Sequence, residues 1–556
     1  MTGAFDAAVI VVGGGPCGLM LANELGRRGV STLLFNEGPE TSAYPRANAT
    51  QARTMEYFRR LGFAEEVRAQ GLPRDYPTDV AYFTRYARHE LARFELPSSA
   101  EARRLARELG GSWSAAELPH RCSQIYIERV MRAHAERRPS VTLRFGWRVT
   151  GFSEDAEGVG VEAEPTQGGP GRRFRGRFLV GCDGPRSLLR RKLGFSYRGE
   201  GGAVRDFMGG RMHAIYLRAP ALYDLLPKRR AWMYWAVNRE RRSLMAALDG
   251  REEFVFSAQL KPGEDPDAIS EPQARAMFFE TLGAECPIEI VNHLSWTAGL
   301  TLVAERFQRG RVFLAGDAVH LFTPTGGLGY NTGIEDAVNL GWKLAAAVEG
   351  WGGPSLLAAY EAEREPIARR NTLHARRFAD SVGLYVPPAE IEAETPAGAA
   401  ARRAAGDYLD RHARAEFDIP GITFGTRYDG SSLIVSDGAA PPADDANRYV
   451  PSAVPGGRAP HAWLPDGRSL FDVLGFGFTL LRLGHRSADG SGIVAAARRL
   501  RIPVASLEFP SEELRDLYGA DLVLIRPDQV VAWRGNRAPE EPGAMLGMVT
   551  GHPRSP

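Results

Sequence analysis

Residues 7–19 read AAVIVVGGGPCGL, and this stretch decides the fold. The run at 7–12 is short, continuous and apolar and stops at glycine. That is the pattern of a central parallel strand buried on both faces. Helical spacing follows at 19–28 and a second apolar run at 31–35, so the chain opens on a βαβ unit. Between strand and helix, Gly13-Gly14-Gly15-Pro16-Cys17-Gly18 satisfies GxGxxG. The first glycine allows a tight turn, the second lets a pyrophosphate approach the backbone, and the third permits close helix–strand packing. The helix start adds free N–H groups and about half a positive charge. Dinucleotide binding is therefore expected at Gly13, Gly15 and Gly18, with Pro16 and Cys17 supplying loop backbone. An acid that holds ribose hydroxyls should end the second strand. Asn36 stands there instead and Glu37 follows it, so either Glu37 reaches the ribose or Asn36 supplies a neutral hydrogen bond.

Further along, 54–61 reads as a helix closed by Gly62, 79–95 as a β-hairpin, 101–109 as a solvated helix and 125–138 as a helix. Strands are expected at 142–145, 158–163 and 177–182. Residues 211–262 read as successive strands separated by turns, an antiparallel sheet unlike the opening unit. An α/β pattern returns at 311–316, with a long helical region from Gly333 to about Ser381, kinked at Pro366. Residues 383–460 are rich in Ala, Pro, Gly and Asp and read as a linker, with a boundary near 400. The last unit has the order β-α-β-β-α, with strands at 478–483 and 504–509 and a hairpin at 522–535, which is thioredoxin-like.

Composition narrows the function classes. The 556 residues exceed one ordinary domain of roughly 150 residues. Lys plus Arg is 69 against 67 Asp plus Glu, so no electrostatic footprint for nucleic acid or an anionic membrane appears. With 44% hydrophobic and 24% charged residues the chain reads as globular. There is no apolar run of about 18 residues and no signal-peptide pattern, so a membrane span is not expected. Cys17, Cys122, Cys182 and Cys286 lie far apart with no CxxC pair, which fits a reducing, cytoplasmic setting and spells out no metal site.

Two further motifs complete the reading. VGCDGPRSL at 180–188 places an Asp-Gly pair, Asp183-Gly184, after a strand. RVFLAGDAVHLFTPTGGLGYNTGIEDAVNLGWK at 311–343 ends a strand at Gly316-Asp317, then gives a Pro-Gly-Gly loop and a helix from near Thr332. Asp317 can accept from ribityl hydroxyls. The N–H groups near Tyr330 and Asn331 can face a negatively polarised carbonyl. His320 reads as loop structure. In this order the three motifs resemble the class A flavin-dependent aromatic hydroxylases, relatives of para-hydroxybenzoate hydroxylase and phenol hydroxylase. The likeness covers 1–390 and the tail, through VPGGRAPHAWLPDGRSLFDVLG and LIRPDQVVAWRG.

The resemblance implies a Rossmann-like α/β FAD-binding domain at 1–75, 120–195 and 300–395, with an inserted antiparallel-sheet substrate domain at 76–119 and 196–299. A thioredoxin-like C-terminal domain would follow at 400–556. By the same resemblance, Arg53 lies near the pyrophosphate, Gln124 beside the flavin, Asp183 near FAD and NAD(P)H, and Asp317 on the ribityl chain. Pro324, Gly329, Tyr330 and Asn331 line the isoalloxazine. Phenol hydroxylase-like members carry an acid at the position of Asn48, and an amide cannot serve as that base. The implied reaction takes hydride from NADH or NADPH, then O2, and hydroxylates a small aromatic, phenolic substrate through a flavin C4a-hydroperoxide.

In AWMYWAVN, 231–238, alternation sets Trp232 and Tyr234 on one face and Met233 and Trp235 on the other. His213, Tyr216, Tyr234 and His293 are the candidates for touching a phenolic hydroxyl, with sheet packing as the alternative for each. No second GxGxxG unit exists for a nicotinamide domain, and Cys17 has no redox partner in the sequence. The thioredoxin-like unit, lacking CxxC, reads as structural, with homodimerisation as a candidate role. Two rival readings remain: an epoxidase or Baeyer–Villiger-type oxygenase acting on a polyketide, and a flavin-holding regulatory protein without turnover.

Overall fold

The run at 7–12 forms a strand, Ala7–Val12, in the middle of a sheet. A computed structural model describes residues 5–201, 207–484 and 488–553. Thr32–Asn36 and Arg172–Gly181 flank the strand, both parallel to it. Val141–Phe145 and Val312–Leu314 extend the sheet outward, again in parallel. Val9, Ile10 and Val11 are wholly buried, each gaining about 1.5–3 kcal/mol from leaving water. Helix Pro16–Arg27 starts at Gly15, with Pro16 in the first turn where a missing N–H is harmless. It packs against the long helix Leu328–Glu349. A hairpin of Trp147–Glu154 and Val159–Pro165 extends antiparallel from Arg172–Gly181. Its first strand escaped the sequence reading because six of its eight residues are exposed or half-buried and give no clean alternation.

The second sheet is ordered Glu289–Ala298, Gly210–Arg218, Glu253–Gln259, Ser243–Ala247, Met233–Ala236, Val80–Phe83, Glu90–Phe94. The expected hairpin at 79–95 is its edge, joined in parallel to Met233–Ala236. Register fixes two faces. One carries Phe83, Tyr234, Met245, Phe256, Ile215, His213 and His293. Helix Glu271–Leu282 covers it, with Phe278 edge-on to Phe256 at 5.4 Å. The opposite face carries Tyr82, Trp235, Leu244, Ala246, Val255, Ser257, Ala214 and Tyr216. It turns towards the first unit, where Tyr44 packs on Ala214, Tyr216, Ala246 and Val255.

Three expectations need correction. The helical region after Gly333 is two helices, Leu328–Glu349 and Ala359–Gly383. The break is Gly350, left-handed at φ 83°, followed by Gly352, Gly353 and Pro354; Pro366 lies inside the second helix. The boundary near 400 falls within a helix, Pro396–Phe417, that packs on Glu90–Phe94 and on Ala359–Gly383. Its signals were present in the sequence: Thr395 Oγ1 accepts from Gly398 N at 3.1 Å, Pro396 sits in the first turn, and an alanine-rich run follows. The last unit has an additional short helix, Glu512–Tyr518, between its second and third strands.

In that last unit Phe478–Leu483 pairs in parallel with Val504–Phe509 and antiparallel with Leu522–Ile525, which pairs with Val531–Gly535. The chain order across the sheet is thus 2-1-3-4. The unit is welded to the first by rings and charges. Phe478 packs on Trp342 and Trp351. Arg526 holds Glu363 at 2.6 and 2.9 Å and Asp528 at 2.6 and 3.0 Å, all wholly or almost wholly buried. Lys343 also bridges to Glu363. No helix among the described residues is long and apolar enough to cross a membrane.

Candidate functional site

The glycines of the opening turn each meet a distinct steric demand. Gly13 has φ 108°, and a Cβ there would stand 2.1 Å from the Cys182 carbonyl oxygen. A Cβ on Gly18 would stand 1.9 Å from the Gly13 oxygen, so this residue is what lets the helix close on the strand. Gly15, at the helix start, faces open space with nothing within 4 Å. That is the opening through which a pyrophosphate could reach the free N–H groups of the first turn.

The Gly-Asp stretch meets this turn. A Cβ on Gly316 would lie 3.1 Å from Cys17 Cβ, and one on Gly333 would lie 3.2 Å from Gly316 Cα. Asp317 is exposed and its carboxylate makes no hydrogen bond among the described residues; its backbone oxygen accepts from Tyr197 Oη at 2.6 Å. The surrounding protein raises its pKa, while His320 and Arg46 act against that rise. Behind it sits a fully buried triad. Asp336 Oδ2 accepts from Gly316 N at 3.1 Å and pairs with His320 Nε2 at 2.7 Å; Asp336 Oδ1 accepts from Arg364 Nε at 2.7 Å. Burial works to raise the Asp336 pKa, but Arg364 and His320 hold it below the usual range.

Asp183 is half-buried. Its Oδ2 accepts from Leu189 N at 3.2 Å at the start of helix Leu188–Leu193, while Oδ1 has no partner, and burial raises its pKa. Arg190 ties this loop to the Asp317 loop through Pro185 O and Ala318 O, and stacks on Tyr197 at 3.9 Å. Cys17 and Cys182 are neighbours. Both are free thiols, and their mutual hydrogen bond and burial push the Cys17 thiol well up.

Several expected residues are otherwise employed. Asn36 Oδ1 accepts from Gly14 N at 2.9 Å and its amide donates to Gly38 O at 3.0 Å, so it braces the turn. Glu37 is exposed and paired with Arg148 at 2.7 Å. Arg53 points away from the groove, to Glu56, to Gln529 Oε1 at 2.8 Å and to the Asp528 oxygen at 3.1 Å. Arg46, which the sequence reading passed over, makes no hydrogen bond or ion pair among the described residues. Its charge is felt at Asp317, Glu128 and Tyr44. Gln124 opens helix Gln124–Glu136 and bonds Glu128, which accepts from Ser42 N at 2.8 Å.

In the Pro-Gly-Gly loop, Pro324 is exposed, Gly326 and Gly327 are left-handed, and Gly329 packs under Phe322. Asn331 is a clamp. Its Oδ1 accepts from Gln51 N at 2.9 Å and Thr54 Oγ1 at 2.7 Å, and its amide donates to the Ala49 and Gly327 oxygens. Asn48 Oδ1, Ser123 Oγ and Tyr44 Oη are buried without partners, and the buried Tyr330 and Thr50 hydroxyls have at most each other. These segments are mutually bonded, Ala49–Thr50 to His120–Arg121 and Cys122 N to Asn48 O. A concentration of orphaned polar atoms calls for an explanation, and a polar ligand is one.

The substrate candidates divide between the two faces. His213, Tyr234 and His293 lie on the helix-covered face, away from the groove. His213 bonds Ser295 Oγ at 2.9 Å and His293 Nδ1 at 3.1 Å, with burial and His293 lowering its pKa to about 4; Tyr234 Oη accepts from Ala231 N at 2.9 Å. Alternation by itself does not say which face looks at the cofactor. Tyr216 lies on the groove-side face, near Glu253.

The family model for the FAD binding domain matches residues 6–375, and that for the aromatic-ring hydroxylase C-terminal region matches 452–553. The chain belongs to the class A flavin-dependent aromatic hydroxylases, FAD-dependent monooxygenases. It is 30% identical to the FAD-dependent monooxygenase apdD of Emericella nidulans, over 98% of this chain and 90% of that one. It is 29% identical to phenol 2-monooxygenase of a Pseudomonas species, over 98% and 92%. Among solved structures, the rebeccamycin biosynthetic enzyme RebC with reduced flavin superposes with a TM-score of 0.87 at 33% identity, covering 98% of this chain and 99% of that one.

Proposed function

We propose that this enzyme hydroxylates a phenolic ring held between the Asp317 groove and the open face of the antiparallel sheet. The observation that carries the reading is the contact between the opening turn and the Gly316–Asp317 stretch, which puts an open glycine and an unpartnered carboxylate on adjoining turns. A Gly15 opening, a free Arg46 charge and the orphaned hydroxyls around Tyr330 suit FAD. In this reading Gly13, Gly15, Gly18 and the backbone of Pro16 and Cys17 hold the pyrophosphate, with Arg46 in the place expected of Arg53. Asp317 holds the ribityl chain, and the loop from Pro324 to Asn331 lies along the ring system. Bound FAD would supply the redox chemistry, taking hydride from NADH or NADPH and activating O2.

The protein's share is positioning, exclusion of water and handling of the substrate's proton. Val80, Tyr82, Trp235, Leu244, Ala246, Val255 and Tyr216 would form an apolar ceiling over the ring. The antiparallel sheet is an insertion in the FAD-binding unit, and the 2-1-3-4 tail is thioredoxin-like without a CxxC redox pair. The test is reconstitution with FAD, followed by NADH and NADPH oxidation against a panel of phenols, aromatic acids and polyketides under ¹⁸O₂. Ring-hydroxylated product carrying one labelled oxygen is expected. Cofactor oxidation that no ring compound stimulates would refute the reading.

A further inference from the structure

The helix Pro396–Phe417 carries two buried titratable groups one turn apart, His412 and Glu416, whose side chains are 1% and 2% exposed. His412 Nε2 lies 2.9 Å from Glu416 Oε2, yet neither atom makes a hydrogen bond. The rest of the pair is anchored. His412 Nδ1 bonds Ser381 Oγ at 3.0 Å, and Glu416 Oε1 accepts from Gly326 N at 2.8 Å in the Pro-Gly-Gly loop. Beside the pair stand Tyr82 and Trp235 from the second face of the sheet, their rings 6.2 and 6.4 Å from the imidazole. Tyr82 Oη and Trp235 Nε1 are buried and unpartnered as well. Three segments thus meet where the sheet's second face reaches the loop, bringing an ion pair with no further partner on Nε2 or Oε2 beside two aromatic rings whose polar atoms are unpartnered. Buried polar atoms of native proteins rarely go unpaired.

We propose that His412 and Glu416 are the proton-accepting pair for the substrate's ring hydroxyl, with Tyr82 and Trp235 flanking that hydroxyl. This rests on the aromatic-hydroxylation reading above and adds the residues that activate the ring. In the step, the phenolic O–H bond breaks and a new N–H bond forms at His412 Nε2. The oxygen keeps the electron pair as phenolate, and the Glu416 carboxylate neutralises the imidazolium. A phenolate is a far better nucleophile than a phenol, and Asn48 is an amide with no basicity to offer. A glutamate beside a histidine orients it and stabilises its charged form, as in other acid–base pairs. The groups facing the pair are Ser381 from helix Ala359–Gly383, Tyr82 and Trp235 from the sheet, the Gly326 amide, and Asp410 on the same helix, whose charge reaches Tyr82. No lysine or arginine among the described residues bonds to either member.

Absorbance titration of the FAD-loaded enzyme with 4-nitrophenol and alizarin, which change colour on ionising, tests this. Bound probe should ionise in the wild type at least one pH unit below free probe. His412→Gln should abolish that shift and Glu416→Gln should halve it, with FAD content within twofold of wild type. In turnover, His412→Gln should cut kcat at least tenfold for a weakly acidic phenol with KM within threefold, and less than twofold for a nitrophenol already ionised in water. A His412→Gln enzyme that still ionises the probe like wild type overturns the proposal, as does equal loss for both phenols. Normal hydroxylation with no ionisation shift in the wild type overturns the pair alone. A wild type that binds and hydroxylates no phenol overturns the functional reading, and the pair with it.

Discussion

Asp336→Asn probes the loop that presents Asp317. The carboxylate accepts three hydrogen bonds with no exposure, from Gly316 N at 3.1 Å, His320 Nε2 at 2.7 Å and Arg364 Nε at 2.7 Å. An amide has one acceptor oxygen, so its NH2 must oppose either the Arg364 donor or the Gly316 and His320 side. A buried donor left unpaired costs about 1–3 kcal/mol, and removing one partner of a buried ion pair costs about 3–5 kcal/mol. Glu335, 3.0 Å from Arg364, still offsets part of the charge, which favours the lower end, about 3 kcal/mol. If FAD requires the Gly316–Asp317 loop in its present place, binding must restore it against that cost. At about 1.4 kcal/mol per decade, FAD affinity should fall roughly a hundredfold. Flavin fluorescence titration of the apoprotein measures it, with circular dichroism to show that the fold persists. A fall of less than threefold in a folded variant would refute the idea that the buried triad holds the loop.

Other perturbations separate neighbouring roles. Gly18→Ala, whose methyl would sit 1.9 Å from the Gly13 oxygen, should yield protein with under a tenth of wild-type flavin by absorbance. Asn36→Ala should weaken FAD about tenfold through loss of the Gly14 brace, about 1–1.5 kcal/mol, while Glu37→Gln should change it less than twofold in the same titration. The buried histidines His120 and His213, lowered to about 3 and about 4 by burial, are neutral in the fold and charge more readily when unfolded. Their contribution is complete above pH 6.5 and is lost as pH falls towards those values, about 2 kcal/mol for each at pH 5. The Tm should therefore drop from pH 6.5 to 5, and His120→Gln should flatten that slope; an unaltered slope would exclude His120 as a source. Arg526→Gln should unseat Glu363 and lower stability by about 3–5 kcal/mol, with tail and FAD-binding unit melting in one calorimetric transition.

What could be read from the sequence is what short-range chemistry dictates. The opening strand and turn are legible because Val9–Val11 must be buried and Gly13 and Gly18 admit no side chain. The strand at 478–483 carries a clean apolar run and the strand at 504–509 a looser one, and both lie where expected. The helix Pro396–Phe417 was hidden because an alanine-rich segment is equally linker-like in composition, although Thr395 and Pro396 spell its start. Alternation paired Met233 with Trp235 but could not say which face meets the groove, since that is decided by helix Glu271–Leu282 some 40 residues on. Asn36, Asn331 and Arg53 occupy expected motif positions, yet their side chains brace loops or the tail, a choice made by partners up to 476 residues away. The pair Cys17–Cys182 and the triad His320–Asp336–Arg364 exist only once the chain is folded.

The split between the two sheet faces has a practical result. While His213, Tyr234 and Phe256 stabilise one side under a helix, the other side carries, beside the aromatics Tyr82, Trp235 and Tyr216, a strip of small and medium side chains, Ala214, Leu244, Ala246, Val255 and Ser257. Altering ring preference therefore has a short address. Trimming Leu244 or enlarging Ala246 should retune which fused-ring skeleton is accepted while leaving the scaffold and the coenzyme grip intact.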